Sequence, residues 1–202
     1  MNIAGIYAKG GMLDEALEFY EGALEIYKKV FAAVENHPSV ANAYNSLASA
    51  LIKKGDTETA FENYSIALNM RLKSLGAEHP ATLASRNNIA YVHSVRGEHR
   101  KALQMHLEIL ASKVANSGEE SLDAATSYNN IGICHYRLGG FDEALAWLLK
   151  SLIIHKNTFG EGSYETINVE GNLRFAYDEV QKKAPGKYPL SFEEWEREVL
   201  SR

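Results

Sequence analysis

Three stretches of this chain can be laid over one another: YNSLASALIKKGDTETAFENYSIAL from Tyr44, RNNIAYVHSVRGEHRKALQMHLEIL from Arg86, and YNNIGICHYRLGGFDEALAWLLKSL from Tyr128, with an offset of 42 residues both times. A repeat of this length constrains the fold more than any single motif, because one unit cannot bury its apolar face alone and must stack on the next. Gly55, Gly97 and Gly139 fall in register, as do Ala60, Ala102 and Ala144. An earlier copy, NIAGIYAKGGMLDEALEFYEGAL, places Gly11 and Ala16 44 residues before Gly55 and Ala60, so its second helix or the following loop carries two extra residues. A later copy, NLRFAY, begins at Asn172.

Each copy has two apolar-periodic segments around a glycine-containing turn, the pattern of an αα-hairpin. The glycine supplies the positive φ that ends the first helix, and the alanines let two helices approach closely. Asp14, Asp56 and Asp142 are expected near the starts of second helices, where a carboxylate can cap amides and meet the positive end of the dipole. Pro38 and Pro80 suit the first turn of a helix, so those two starts are expected to be the sharpest. Leucine, alanine, glutamate and lysine are frequent and alternating β-branched runs are scarce, which makes the class all-α.

The formal net charge of -5 gives no broad basic footprint, so nucleic acid is not an expected partner. Cys134 is the only cysteine, which rules out an internal disulfide and a cysteine-rich metal framework. Residues 1–20 lack a basic leader with an apolar core, and no run reaches the roughly 18 apolar residues that span a bilayer. The expectation is a soluble, cytoplasmic protein without membrane contact. Near the other end, SFEEWEREVL from Ser191 has an S-x-x-E capping box, with Phe192, Trp195, Val199 and Leu200 on one stripe. It reads as a closing helix over the last apolar face.

The pairs Leu47-Ala48, Ile89-Ala90 and Ile131-Gly132, the turn glycine and the helix-two alanine resemble the tetratricopeptide repeat. The 42-residue period, with NHPSVANAYN from Asn36 and EHPATLASRN from Glu78, resembles the longer repeats of kinesin light chains and similar adaptors; Ser121-Leu122 and Ser163-Tyr164 replace His-Pro at the later linkers. The heptad segment expected for kinesin heavy-chain association is not found. The resemblance covers residues 2 to about 177. It implies an α-α superhelix, a right-handed solenoid of antiparallel helix pairs. The expected array occupies residues 1–183: a shortened repeat at 1–36, repeats at 38–78, 80–120 and 122–162, and at 164–183 the first helix of a degenerate repeat or cap. A loop and capping helix follow at 184–202.

Asn88, Asn130 and Asn172 recur at 42 residues, with Asn2 and Ser46 in the same column, and Asn45, Asn87 and Asn129 form the column before it. Asparagine is a mediocre helix former, so helix formation does not explain the pattern. The resemblance places first helices on a concave surface, where such asparagines grip the main chain of a bound peptide. One carboxamide can accept from an N–H and donate to a C=O of the same strand. By the same register Tyr91, Ile133 and Phe175 are expected as apolar sockets. Lys53 and Arg137 are expected to hold an acidic group, and Asn42, Thr126 and Asn168 to line one wall. The alternative is that the asparagines bond between adjacent repeats and fix the superhelix, and that Tyr91 and Phe175 are ordinary packing. A chaperone-type carboxylate clamp is disfavoured, because its lysine column reads Asn42, Ala84, Thr126 and Asn168.

His93, His135 and His106 read as aromatic filler rather than metal ligands, since no recognised ligand spacing accompanies them. Gly160 and Gly162 form a lone GxG in a turn, and no nucleophile elbow, zinc-protease or calcium-loop motif is present. The expectation is therefore no enzyme, no cofactor and no metal. The expected function is an interaction module or adaptor that binds a protein or peptide ligand in its groove. Two alternatives stand beside it: an assembly unit that stacks through its ends, with weak homo-oligomerisation at the exposed N-terminal edge, and a regulatory small-ligand binder.

Overall fold

The computed structural model describes residues 2–188 and 190–201; Met1, Pro189, Arg202 and the side chain of Asn2, which the ladder column includes, lie outside the described residues. The described residues form helices and no strand. The chain divides into two compact units, Met1–Glu98 and His99–Arg202. The first holds α1 (Asn2–Lys9), α2 (Leu13–Val30), α3 (Pro38–Lys54), α4 (Thr57–Leu75) and α5 (Pro80–Val95). The second holds α6 (His99–Ser117), α7 (Leu122–Leu138), α8 (Phe141–Phe159), α9 (Tyr164–Lys183) and α10 (Phe192–Leu200). Inside each unit every helix packs on its neighbour in sequence.

The turns follow from the chemistry at the helix ends. Gly55 at φ 93° and Gly139 at φ 83° close α3 and α7 in the left-handed region, where a side chain is strained. All four first helices from α3 onward start on a side-chain cap. His37 and His79 accept at Nδ1 from the amides of Ser39 and Ala81, and Ser121 and Ser163 accept at Oγ from Ala124 and Thr166, each at 3.1 Å. The proline starts are thus no better capped than the serine ones. Serine simply replaces the imidazole as acceptor.

Of the three aspartates only Asp56 is a cap, accepting from the Thr59 amide at 3.1 Å. Asp14 and Asp142 lie inside the first turns of α2 and α8, two residues further from the turn glycine, in the column of Glu58. That column makes ion pairs instead: Asp14 with Lys54 at 2.6 Å, Glu58 with Arg96 at 2.8 Å and Asp142 with Lys187 at 2.7 Å. Each joins the start of a second helix to the end of the next first helix or, for Lys187, to the loop just beyond α9, favourable positions for both dipoles.

The column alanines Ala16, Ala60, Ala102 and Ala144 are fully buried. The two extra residues of the first copy lie in the loop, because α2 is one residue shorter than α4 whereas residues 31–37 replace the short turn at 76–79. Phe31 stacks on His37 there, with ring centres 3.5 Å apart.

In the second unit Leu145, Leu148, Leu152, Val169, Leu173, Tyr177 and Phe192 share one core. The capping box at Ser191 and Glu194 is formed in both directions. Phe192 is buried against Tyr177, but Leu200 is exposed, and Glu196 is buried in the helix where a purely apolar stripe was expected. Glu196 is satisfied there by Lys156 at 3.0 Å, which offsets the cost of removing a carboxylate from water.

Candidate functional site: paired asparagines and a first-helix pocket

Two adjacent first helices of each unit are joined by an asparagine pair. In the first unit Asn88 Nδ2 on α5 donates to Asn45 Oδ1 on α3 at 2.7 Å, and in the second Asn172 Nδ2 on α9 donates to Asn129 Oδ1 on α7 at 3.0 Å. The donor comes from the later column and the acceptor from the earlier one, which accounts for Asn88 and Asn129 but not for their neighbours Asn87 and Asn130. These are bonds between adjacent repeats. A pair uses one N–H and one lone pair, while two carboxamides together carry four N–H donors and four lone pairs. Asn87 and Asn130 are half-buried in the same columns.

Asn42 is held by Arg71, whose Nη2 donates to its Oδ1 at 2.7 Å. The same guanidinium donates to Ser85 Oγ at 2.7 Å and to the Ala81 carbonyl at 3.0 Å. Burial pulls the Arg71 pKa below its usual value, yet a guanidinium stays charged at neutral pH, and three acceptors satisfy it. Lys113 occupies the same column one repeat later and donates to the Asp123 carbonyl at 3.1 Å. Asn42, expected in one wall of the groove, thus takes part in an inter-repeat tie. The signal for the tie was the 42-residue recurrence of a cation at Arg71 and Lys113.

Four of the sequence-derived site residues come together in the second unit. Ile133, Arg137, Asn172 and Phe175 line a pocket of about 170 Å³, with Tyr136, Leu148 and Ala176 completing it. Phe175 is 56 % exposed and meets Tyr136 edge-on at 5.4 Å, while the Arg137 guanidinium lies 5.8 Å from the Tyr136 ring centre. The pocket therefore presents two aromatic rings and an aliphatic wall beneath a cation, next to a carboxamide. Leu148 is on α8, so a search confined to first helices misses it. Asn168 is exposed one turn before Asn172 on α9.

In the first unit Tyr91 is 51 % exposed and Lys53 is exposed at the end of α3. His93 is buried and bonds through Nδ1 to Glu98 at 3.0 Å. Among the described residues no group of three or more His, Cys, Asp or Glu side chains is placed to hold a metal ion. Burial pushes the Cys134 thiol up to about 11, far from the range of a reactive thiolate. No described helix is long and apolar enough to cross a membrane.

The tetratricopeptide repeat family matches residues 1–58, 39–113 and 123–182. No curated protein matches the chain. Among solved structures it is similar to a kinesin-light-chain-type protein of Podosopora anserina built from nearly identical TPR-like repeats, at 22 % identity and TM-score 0.72, over 99 % of this chain and 89 % of that one. It is also similar to BtubC (BKLC) from P. vanneervenii, at 22 % identity and TM-score 0.74, over 98 % of this chain and 78 % of that one. A Rap protein complexed with competence and sporulation factor shares the fold at 20 % identity and TM-score 0.71; this chain spans 89 % of its own length there and about half (48 %) of the Rap chain. With the family matched over most of its length and the helical-pair fold shared with these structures, the chain belongs to the tetratricopeptide repeat family.

Proposed function

We propose that this protein is a noncatalytic interaction module that holds a partner peptide along its first helices. The single observation that carries the proposal is the pocket formed by Ile133, Tyr136, Arg137, Asn172 and Phe175. It combines an apolar socket, a cation and a main-chain-type donor and acceptor, the set a peptide needs for one anchored side chain, one acidic group and its backbone. The asparagine pairs support the same reading, because each retains carboxamide capacity after bonding across repeats. A Rap protein that shares the fold is known complexed with competence and sporulation factor, which supports a ligand-binding reading. Asn130 and Asn168 extend the proposed surface within the second unit by register, and Asn87, Tyr91 and Lys53 are the register positions proposed for the first unit by itself.

A displayed random-peptide library selected on the intact protein tests the site. Selected peptides should carry an acidic residue near an apolar one, and their affinity should fall at least tenfold on Phe175→Ala and on Arg137→Ala with the circular dichroism spectrum unchanged. Peptides that bind both variants as well as the original protein would place the site elsewhere.

A further inference from the structure

The first helices of the first unit differ in charge from the rest of a chain whose net charge is -5. Among the described residues α1, α3 and α5 contain no aspartate or glutamate, whereas α2, α4 and α9 all do. Their ionised side chains are Lys9, Lys53, Lys54 and Arg86. Lys53, near the end of α3, is exposed and takes part in no ion pair among the described residues. The acids around it are engaged elsewhere or turned away. Asp14 holds Lys54, on which Glu21 also acts, Glu58 holds Arg96, Asp56 caps α4, and Glu98 bonds His93. Glu62 is two residues from Tyr64 and so lies on the opposite side of α4.

Counted back two repeats from the pocket of the second unit, the lining changes chemistry. Ser49 stands for Ile133, Lys53 for Arg137, Tyr64 for Leu148, Asn88 for Asn172 and Tyr91 for Phe175. The Tyr64 hydroxyl shares a hydrogen bond with Ser49 on α3 and lies within electrostatic reach of the Tyr91 hydroxyl on α5. Hydroxyls from three helices thus converge where the second unit has an apolar floor. Burial holds the Tyr64 pKa above its usual value, which keeps the proton on at neutral pH. Asn88 has spent one N–H on Asn45 and keeps the other. An ammonium and an amide N–H donate only, and each hydroxyl can turn to donate, so the set suits a group that only accepts. An apolar side chain there would take these groups out of water without a partner. We infer that the first unit holds a second side-chain subsite, formed by Ser49, Lys53, Tyr64, Asn88 and Tyr91, that selects an aspartate or glutamate side chain of the bound peptide. This subsite presupposes the peptide-binding role proposed above, and in it the second-helix residue, Tyr64 here and Leu148 in the second unit, sets what each unit accepts.

Peptides are selected on the intact protein from a displayed random library whose carboxyl ends are fused to the carrier, so that no terminal carboxylate competes. Each acidic position of a selected peptide is then changed to its amide and titrated against the original protein, Lys53→Met and Arg137→Met. One such change should cost about tenfold or more on the original protein and on Arg137→Met, and less than about twofold on Lys53→Met, the coupling expected of one charge-assisted contact. Tyr64→Phe, with the circular dichroism spectrum unchanged, should weaken the acidic peptide and leave the affinity of its amide form as it was. Amide exchanges without effect, or acids that couple to Arg137 alone, overturn the subsite and leave the pocket of the second unit standing. Coupling to Lys53 in peptides indifferent to Phe175→Ala and Arg137→Met supports the subsite and overturns the pocket. A library that yields no binder overturns both.

Discussion

At the scale of single residues, the repeat column shows what is exchangeable and what is not. Ala48, Ala90 and Gly132 share a column. A Cβ at Gly132 would sit 2.6 Å from Leu148 Cγ and 3.1 Å from the Ala144 carbonyl, because α8 carries the branched Leu148 where α4 has Tyr64. Gly132→Ala should therefore destabilise the protein by about 1–3 kcal/mol through overpacking, although alanine is the better helix former. Chemical denaturation measures this, and Gly132→Ala combined with Leu148→Ala should lose less than the two single effects added.

His106 makes a second residue-scale prediction. It is 3 % exposed, its Nδ1 is without a hydrogen-bond partner, and burial, with a smaller contribution from Lys113, lowers its pKa to about 4. The unfolded chain takes up this proton near pH 6.5 and the folded one only near 4. Stability from this group is complete above pH 6.5, declines as pH falls between those values, and levels off below. The loss is on the order of 3 kcal/mol. His106→Phe should flatten the stability profile between pH 6.5 and 4, and an unaltered slope would show that other groups carry it.

At the scale of helices, much of the organisation was legible because it follows from local chemistry repeated at a fixed interval. The turn glycines, the buried alanines and the capping box could each be placed from spacing alone. Pairings that depend on a partner distant in sequence could not. The assignment of Asp14 and Asp142 as caps missed a two-residue difference in register, and the true role of that column emerges only when Lys54 and Lys187 are brought beside it. Glu196 was hidden for the same reason, since its burial depends on Lys156, 40 residues earlier. Lys156→Met should leave Glu196 buried and unpaired, and should cost more stability at neutral pH than Lys156→Met with Glu196→Leu. Thermal melts of the two variants check the order, and the reverse order would show that the pair is not what holds α10.

The asparagines stood out in sequence because helices do not favour them, and their pairing across repeats rested on neither periodicity nor composition. It takes the geometry of α3 beside α5, and of α7 beside α9, to show that adjacent columns serve as donor and acceptor of one bond. Similarly, Ile133, Arg137 and Phe175 were legible as first-helix positions, whereas Leu148 and Tyr136 joined the pocket only through packing.

At the scale of the whole molecule, both units share the helical-pair fold of the family, and the central proposal is that first-helix side chains hold a peptide by its backbone. The most direct test is isothermal titration of a library-selected peptide against the original protein and against Asn129→Ala with Asn172→Ala, alongside thermal melts of both proteins. The account predicts an affinity loss of at least tenfold with the melting temperature lowered by no more than a few degrees, as expected for losing one half-buried hydrogen bond of about 1 kcal/mol. Undiminished affinity together with a large fall in melting temperature would contradict it, and would leave the asparagines with the joining of repeats as their only role.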